Sequence, residues 1–209
     1  MRAGAILTRR TPMVLTRIAF ALLLPTGLSA QAPGDWWAYG RDQLGSRYSP
    51  LTQVTRANVG KLTVAWTFRT GEMDETRRPA KFEATPLVID GVMYFSTPFG
   101  QAIALNAETG TELWRFDGKS DRMEGWGDFA SRGVSTWVDS RAAATAPCRR
   151  SIYLGTIDAR IIALDARTGT PCADFGDHGT VRLRRGLRNE PFETAEYELT
   201  SPPAVINGL

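Results

Sequence analysis

The stretch "TPLVIDGVMYFSTPFGQAIALNAETGTELWRFD", Thr85 to Asp117, holds several short β-prone segments separated by tight turns. Part of it occurs twice, because "ALNAETGT" at 104–111 returns 59 residues later as "ALDARTGT" at 163–170. Each copy combines a β-branched and aromatic strand with an alternating strand that ends in an Asn/Asp-x-x-Thr-Gly turn. Four short strands in a period of about 59 residues are typical of a propeller blade and predict an all-β fold, a β-propeller. A solenoid is the alternative, although its repeats are usually shorter.

A tryptophan marks the last strand of two blade-like segments. Trp66 in "LTVAWTFRTG" (62–71) occupies the place that Trp114 occupies in "ELWRFDG". A ring that recurs on the last strand most simply packs between neighbouring blades, where it buries a large apolar surface. The second copy reads "PCADFGDHG" at this place, without a tryptophan, which predicts a differently built blade interface.

The two ends of the chain are interpreted separately from the repeats. Residues 1–30 carry four arginines, a short apolar run and a small-x-small ending at Ala30, as a secretory signal peptide does. The mature chain is then 31–209, and a retained anchor is the alternative. The final "SPPAVINGL" (201–209) matches the start of the first repeat, so the chain is predicted to stop inside a third blade of a longer protein.

The alkaline balance of the sequence belongs to the signal peptide. Without its four arginines, 21 of the 25 basic residues remain against 22 acidic ones, a formal net charge of −1. This balance argues against a nucleic-acid partner, which needs a basic footprint. The basic run "RLRRGLR" (182–188) is interpreted as a solvated loop. Beyond the signal peptide no segment approaches about 18 apolar residues, so no transmembrane span is predicted.

Four ordered motifs carry a resemblance to a known family. They are "DWWAYGRDQLGSRYSPLTQVTRANVGKLTVAWTFRTGE" (35–72), "FEATPLVIDGVMYFST" (82–97), "SRGVSTW" (131–137) and "YELTSPPAVINGL" (197–209). Together they resemble the N-terminal blades of the pyrroloquinoline quinone (PQQ)-dependent dehydrogenases. The resemblance implies an eight-bladed β-propeller, of which this chain holds the first few blades. It also implies PQQ with a calcium ion on the central axis, and oxidation of an alcohol or sugar in the periplasm.

Three residues match positions that contact the cofactor in this family. Glu83 of "FEATP" resembles an acid that reaches the cofactor, and Arg132 of "SRGV" resembles the arginine that binds the quinone edge and its carboxylates. Thr200 of "LTSPP" resembles a threonine that donates to a cofactor carboxylate. A tricarboxylate needs fixed positive charge and bidentate donors, which agrees with an arginine. Local turn roles are the alternative for Glu83 and Thr200.

The resemblance also implies the reaction. Calcium polarises the quinone carbonyl, an Asp on a later blade takes the substrate hydroxyl proton, and hydride passes to the quinone. That Asp and the main calcium ligands are expected beyond Leu209, so no catalytic or metal residue is assigned here and this chain alone is expected to be inactive. Electrons would leave to ubiquinone or to a separate cytochrome.

The stretch before Arg132 separates the branches of the family. Alcohol-oxidising members carry two adjacent cysteines there, whereas this chain reads "EGWGDFASRG" (124–133). The group that covers the quinone must then be different, and Asp128 and Phe129 are the nearest candidates. The chain therefore looks closest to the glucose dehydrogenase branch, which predicts a periplasmic sugar or polyol dehydrogenase.

The two cysteines, Cys148 and Cys172, flank one blade unit. One precedes a strand and the other follows the turn after the next strand, so the two can meet. In an oxidising compartment a disulfide is favoured, and two free thiols are the alternative.

A cofactor-free propeller scaffold of the outer-membrane assembly type is the second hypothesis for function. Such lipoproteins need a lipidated cysteine after the leader, and no cysteine lies near Ala30. They also have no use for Glu83 and Arg132 at axial positions. The quinoprotein interpretation is therefore favoured.

Overall fold

The structure of the chain is a computed structural model, which describes residues 32–42, 44–72, 80–120, 129–189 and 197–206. The predicted signal peptide, 1–30, lies outside these ranges. Within them the chain forms one 3-10 turn, Val59–Lys61, and ten strands. In chain order the strands are β1 (Ala80–Phe82), β2 (Leu87–Ile89), β3 (Val92–Ser96), β4 (Gln101–Asn106), β5 (Glu112–Asp117), β6 (Phe129–Ser131), β7 (Ser135–Val138), β8 (Arg150–Gly155), β9 (Arg160–Asp165) and β10 (Thr180–Arg182). No helix in the described part is long and apolar enough to cross a membrane.

Two antiparallel four-stranded sheets make up most of the fold. Strands β2, β3, β4 and β5 form blade 1, and β7, β8, β9 and β10 form blade 2, each paired in chain order. The middle strands are rich in β-branched and aromatic residues and are largely buried, because both faces of each sheet are covered. This is the arrangement that the repeat predicts for a propeller blade.

The repeated turn after the third strand has the same hydrogen bonds in both blades. Asn106 Oδ1 accepts the backbone N–H groups of the second and third residues after it, at 3.0 and 2.9 Å. Asp165 Oδ1 accepts the equivalent two groups at 2.8 and 3.1 Å. A glycine at positive φ closes each turn, Gly110 at 72° and Gly169 at 71°. The sequence repeat therefore encodes one local structure.

Trp114 of β5 joins blade 1 to the turn of blade 2. Its Nε1 donates to the Ala166 carbonyl at 2.9 Å, and a Cβ on Gly169 would come within 2.6 Å of its ring. The Tyr94 hydroxyl donates to the same carbonyl at 3.2 Å, and burial raises the pKa of Tyr94 to about 12. The predicted packing of this tryptophan between blades is confirmed.

Trp66 repeats this arrangement on the other side of blade 1. Its Nε1 donates to the Ala107 carbonyl at 3.2 Å, and a Cβ on Gly110 would come within 2.5 Å of its ring. Residues 62–70 are not assigned to a strand. Their tryptophan nevertheless occupies the place of a last-strand tryptophan from a preceding blade, as the sequence predicts.

The largest apolar core lies between the two blades rather than inside either one. Its buried members are Leu87, Ile89, Tyr94, Ala102, Ala104 and Trp114 of blade 1, with Val134, Ile152, Leu154, Ile162, Leu164 and Ala166 of blade 2. A second cluster covers the opposite face of blade 1, where Phe95, Ile103 and Leu105 pack against Trp66 and Phe68. Blade 1 is thus held on both faces, and burial of apolar area at these junctions stabilises the stack.

Blade 2 differs from blade 1 after its repeated turn. The chain pairs briefly with β9, through a bridge between Leu164 and Pro171, and then makes an excursion before β10 begins at Thr180. The predicted disulfide fastens this excursion: Cys148 and Cys172 are bonded with an S–S distance of 2.07 Å and a Cα–Cα distance of 5.8 Å. The tryptophan-free segment of blade 2 is thus built differently from its counterpart in blade 1, and the different blade interface expected there stays a prediction.

Candidate cofactor site

Two parallel strands bring the first two predicted site residues together. Strands β1 and β6 pair in parallel, with Phe82 opposite Ser131. The pairing continues past the strand ends, where the Glu83 N–H donates to the Ser131 carbonyl and the Thr85 N–H to the Arg132 carbonyl, both at 3.2 Å. Glu83 and Arg132 therefore lie on adjacent chain segments.

A third segment, 197–206, completes the arrangement on the other side of Arg132. The Arg132 N–H donates to the Thr200 carbonyl at 3.0 Å, and the Arg132 Nη1 donates to Thr200 Oγ1 at 2.7 Å. The other edge of the guanidinium faces Glu83, with Nη2 3.1 Å from Oε2. The structure thus gathers all three predicted residues around one guanidinium group.

The three residues occupy related places in the repeat. Glu83 lies shortly before β2 and Arg132 shortly before β7, the first strands of blades 1 and 2. Thr200 lies before "SPPAVI" (201–206), the segment that matches the start of a further repeat. Each of the three segments that lead into the start of a repeat, called lead-in segments below, therefore supplies one residue to the cluster.

The charged pair is open to solvent. The Arg132 and Glu83 side chains are 38% and 41% exposed, so their attraction is screened and adds little to stability. A guanidinium has five N–H donors, and the contacts to Thr200 and Glu83 leave donor capacity for a ligand. Gly133 allows the close approach, because a Cβ there would lie 2.9 Å from the Thr85 carbonyl oxygen.

A cleft opens beside this cluster. It has a volume of about 1760 Å³, and Arg132 lies on its wall together with β7, the N-terminal segment around Tyr39 and residues 201–206. Its size exceeds what a small-molecule ligand needs. The guanidinium can therefore be reached by a ligand from this side.

Comparison with known proteins assigns the family. The profile described as "PQQ: Glucose/ethanol/alcohol dehydrogenase, beta-propeller domain" matches residues 36–209. The chain belongs to this family. The predicted all-β propeller fold is thereby confirmed.

The similar proteins include both glucose dehydrogenases and alcohol dehydrogenases. A quinoprotein glucose dehydrogenase of Gluconobacter oxydans is 35% identical over 205 residues, covering 89% of this chain and 25% of that protein. The dehydrogenase subunit of an alcohol dehydrogenase (quinone) from the same organism is 44% identical over 137 residues, covering 66% and 16%. The solved quinohemoprotein alcohol dehydrogenase from Comamonas testosteroni superposes with a TM-score of 0.63 at 32% identity, covering 86% and 23%. The chain spans about a quarter of the length of the curated quinoprotein relatives such as the first of these.

The residues present fit an anionic quinone cofactor. An accessible guanidinium with remaining donor capacity, and a hydroxyl bound to it, are the groups that a tricarboxylate such as PQQ needs. Among the described residues no cluster of three or more His, Cys, Asp or Glu side chains is placed to hold a metal ion. No calcium site is therefore assigned to these residues.

One candidate for the group that covers the quinone is wrong. Phe129 is only 3% exposed and packs on Phe99, with ring centroids 5.1 Å apart, in a cluster with Ile157. Its ring fills the junction between blades, so it has no free face for a cofactor. The other candidate, Asp128, lies outside the described residues.

The sequence analysis missed the support beneath Arg132. Ser96, at the end of β3, is fully buried, and its Oγ lies 2.5 Å from the Oγ of Ser131. No sequence pattern links these two serines, which stand 35 residues apart. Only the fold reveals this contact.

Proposed function

We propose that the complete protein that includes this chain is a PQQ-dependent dehydrogenase that oxidises a sugar, a polyol or another alcohol. The observation that carries the proposal is the convergence of Glu83, Arg132 and Thr200 around one accessible guanidinium. Family membership supports it, and so do relatives named as glucose, glycerol and alcohol dehydrogenases.

The geometry suggests a distinct part for each residue. Thr200 Oγ1 accepts a hydrogen bond from Arg132, so its own proton is directed to another acceptor, such as a cofactor carboxylate. Arg132 supplies positive charge and a planar set of donors to the same anion. Glu83 pairs with Nη2 and so fixes the rotation of the guanidinium. When bound, PQQ supplies the quinone that accepts a hydride from the substrate carbon.

The finer assignments rest on motifs rather than on the geometry. The stretch "EGWGDFASRG" (124–133) lacks adjacent cysteines, which favours a sugar or polyol substrate. The signal-like segment 1–30 favours the periplasm, and a disulfide suits that oxidising compartment. Calcium as Lewis acid, a proton-accepting Asp, and ubiquinone or a cytochrome as electron acceptor complete the proposal, with the calcium ligands and the Asp expected outside this chain.

The deciding experiment is a PQQ titration of the complete protein in calcium-containing buffer. Arg132→Ala is expected to weaken PQQ binding by about ten- to a hundredfold, since it removes a charge-assisted contact. Arg132→Lys should restore only part of the affinity, because a point charge cannot reproduce the planar fork. Arg115→Ala is the matched control, because Arg115 pairs with Glu112 at 2.8 Å on the outer strand β5.

The outcomes separate the two hypotheses for function. Equal PQQ affinity in the wild type and both Arg132 variants would show that Arg132 has only a structural role, and the proposal would lose its main support. A wild-type protein that does not bind PQQ would favour the cofactor-free scaffold.

A further inference from the structure

The contact beneath Arg132 joins the end of one blade to the lead-in segment of the next. Ser96 is the last residue of β3 in blade 1, and Ser131 is the last residue of β6, directly before Arg132. Their hydroxyl oxygens lie 2.5 Å apart, and Ser96 is fully buried. Because successive side chains of an extended segment point to opposite faces, Ser131 faces the blade while Arg132 faces away from it.

The equivalent place in blade 2 holds a different pair. Gly155 ends β8, 59 residues after Ser96, and Leu199 directly precedes Thr200. A Cβ on Gly155 would lie 2.8 Å from both Cγ and Cδ2 of Leu199. The missing side chain of the glycine thus makes the room that the leucine fills.

The two pairs solve one packing problem in opposite ways. In the first, two small polar residues meet by a hydrogen bond, and in the second, a large apolar residue packs against a glycine. A serine opposite a leucine would place two groups in one space, because close-packed interiors do not accommodate extra atoms without a shift. Each member of a pair therefore restricts what its partner can be.

We infer that Ser96 and Gly155 are positioning residues for the cofactor site. Each pair sets the spacing between a blade and the segment that carries the next site residue, Arg132 behind Ser131 and Thr200 behind Leu199. Since Arg132 and Thr200 also share hydrogen bonds, a shift of either segment changes the geometry of the whole cluster. The inference rests on the proposed function and identifies what holds its binding residues in place.

A double-mutant cycle in the complete protein tests the first pair. Ser131→Leu puts a leucine against the Ser96 side chain and is expected to weaken PQQ binding by about tenfold or more. Ser96→Gly alone removes the hydrogen bond together with the Cβ of Ser96, and it should weaken PQQ binding by at least as much as the removal of the hydroxyl alone. Ser96→Gly/Ser131→Leu reproduces the pair of blade 2 and should recover most of the lost affinity, so the two changes are coupled rather than additive.

Two further variants keep the test decisive if Ser131→Leu fails to fold. Ser96→Ala and Ser131→Ala each remove one partner of the buried hydrogen bond, and about tenfold weaker PQQ binding is expected. The matched control is Ser151→Ala, because Ser151 is a buried strand serine whose Oγ donates to the Cys148 carbonyl at 3.2 Å, away from the lead-in segments. It should lower the unfolding midpoint and leave the PQQ dissociation constant unchanged.

The readouts distinguish this inference from the proposed function. If the wild type binds PQQ but the effects of Ser96→Gly and Ser131→Leu simply add, the positioning role is overturned and the proposed function is not. The same holds if the Ser96 and Ser131 variants change only the unfolding midpoint, as Ser151→Ala does. A wild-type protein without PQQ affinity overturns both, whereas recovery in the double variant supports both.

Discussion

Blades 1 and 2 have the same sheet topology and the same repeated turn, but their outer edges are secured in different ways. In blade 1 the outer strand β5 starts at Glu112, close to the repeated turn, and Trp114 reaches across to the next blade. In blade 2 the outer strand β10 starts only at Thr180, and a disulfide ties Cys172 back to the same blade. The tryptophan connects two modules, whereas the disulfide strengthens a single one.

The difference shows what each device requires of the chain. A docking tryptophan needs an outer strand that follows the turn directly, so that its ring lies over the neighbouring turn. The excursion after Pro171 in blade 2 removes that condition, and a covalent bond fastens the excursion instead. The two junctions should therefore respond differently to substitution.

The largest effect is expected from Trp114→Ala. Trp114 is 9% exposed and lies in the core between the blades, so loss of its ring should lower the free energy of unfolding by about 3–5 kcal/mol. Trp66→Ala is the matched variant at the other face of blade 1 and should cost less, because the Trp66 ring is only partly buried. Denaturant unfolding of the complete protein measures both, and equal losses would contradict the distinction.

Removal of the disulfide should have the next largest effect. Cys148→Ser/Cys172→Ser opens a loop between residues 24 positions apart, which in the chain-entropy model costs about 3 kcal/mol of unfolding free energy. Reductant should destabilise the wild type to a similar degree and leave the double variant unaffected. Mass mapping without reductant that found two free thiols would refute the assignment.

A smaller, pH-dependent effect is expected at the repeated turn of blade 2. Burial opposes the charge of Asp165, but backbone N–H donors, first among them that of Cys148 at 2.5 Å, outweigh it and hold the pKa of Asp165 below its ordinary value of 3.8. The stability from this carboxylate is therefore fully present above that ordinary value and is lost as the pH falls through the lowered pKa. Asn106 in blade 1 is an amide and contributes no such dependence.

Asp165→Asn tests this difference between the turns. The variant should lose about 1 kcal/mol of unfolding free energy at neutral pH and show a flatter decline towards acid. The reciprocal change, Asn106→Asp, should cost little at neutral pH and add an acid-dependent loss of the same sign. Unfolding measured at neutral pH and near pH 3 would contradict the assignment if the wild type and Asp165→Asn declined in parallel.

The parts of the fold that depend on local chemistry were predictable from the sequence. The turn at 104–111 and its copy at 163–170 are specified by a side-chain oxygen and a glycine, and both can be read directly. The tryptophans were placed correctly because a large ring on a last strand has few places to be buried. Glu83 and Arg132 were singled out through motifs that carry the family resemblance; the structure pairs their side chains, and their role at a cofactor stays a prediction.

Other features depend on contacts that no local pattern encodes. The parallel pairing of β1 with β6 joins two strands of three residues each. Lys81 and Phe82 of β1 are both exposed, so β1 has no alternation of buried and exposed residues from which the pairing could be predicted. Phe129 looked available as a cover for the quinone because it precedes Arg132, yet the fold turns it into the core. The late start of β10 at Thr180 follows from the path of the chain after Pro171, which no sequence pattern indicates.

The acceptor at the junction of the blades is a backbone atom. The Ala166 carbonyl receives both the Trp114 Nε1 and the Tyr94 hydroxyl, which uses both of its lone pairs. No substitution at position 166 can delete that oxygen, so a mutational scan of side chains along the turn would not detect the acceptor of these two hydrogen bonds. The donors at the junction are side chains and can be replaced by substitution, whereas the acceptor is set by the path of the backbone. A blade that follows such a tryptophan should therefore be replaceable by another blade, provided that the new blade keeps the repeated turn and its glycine.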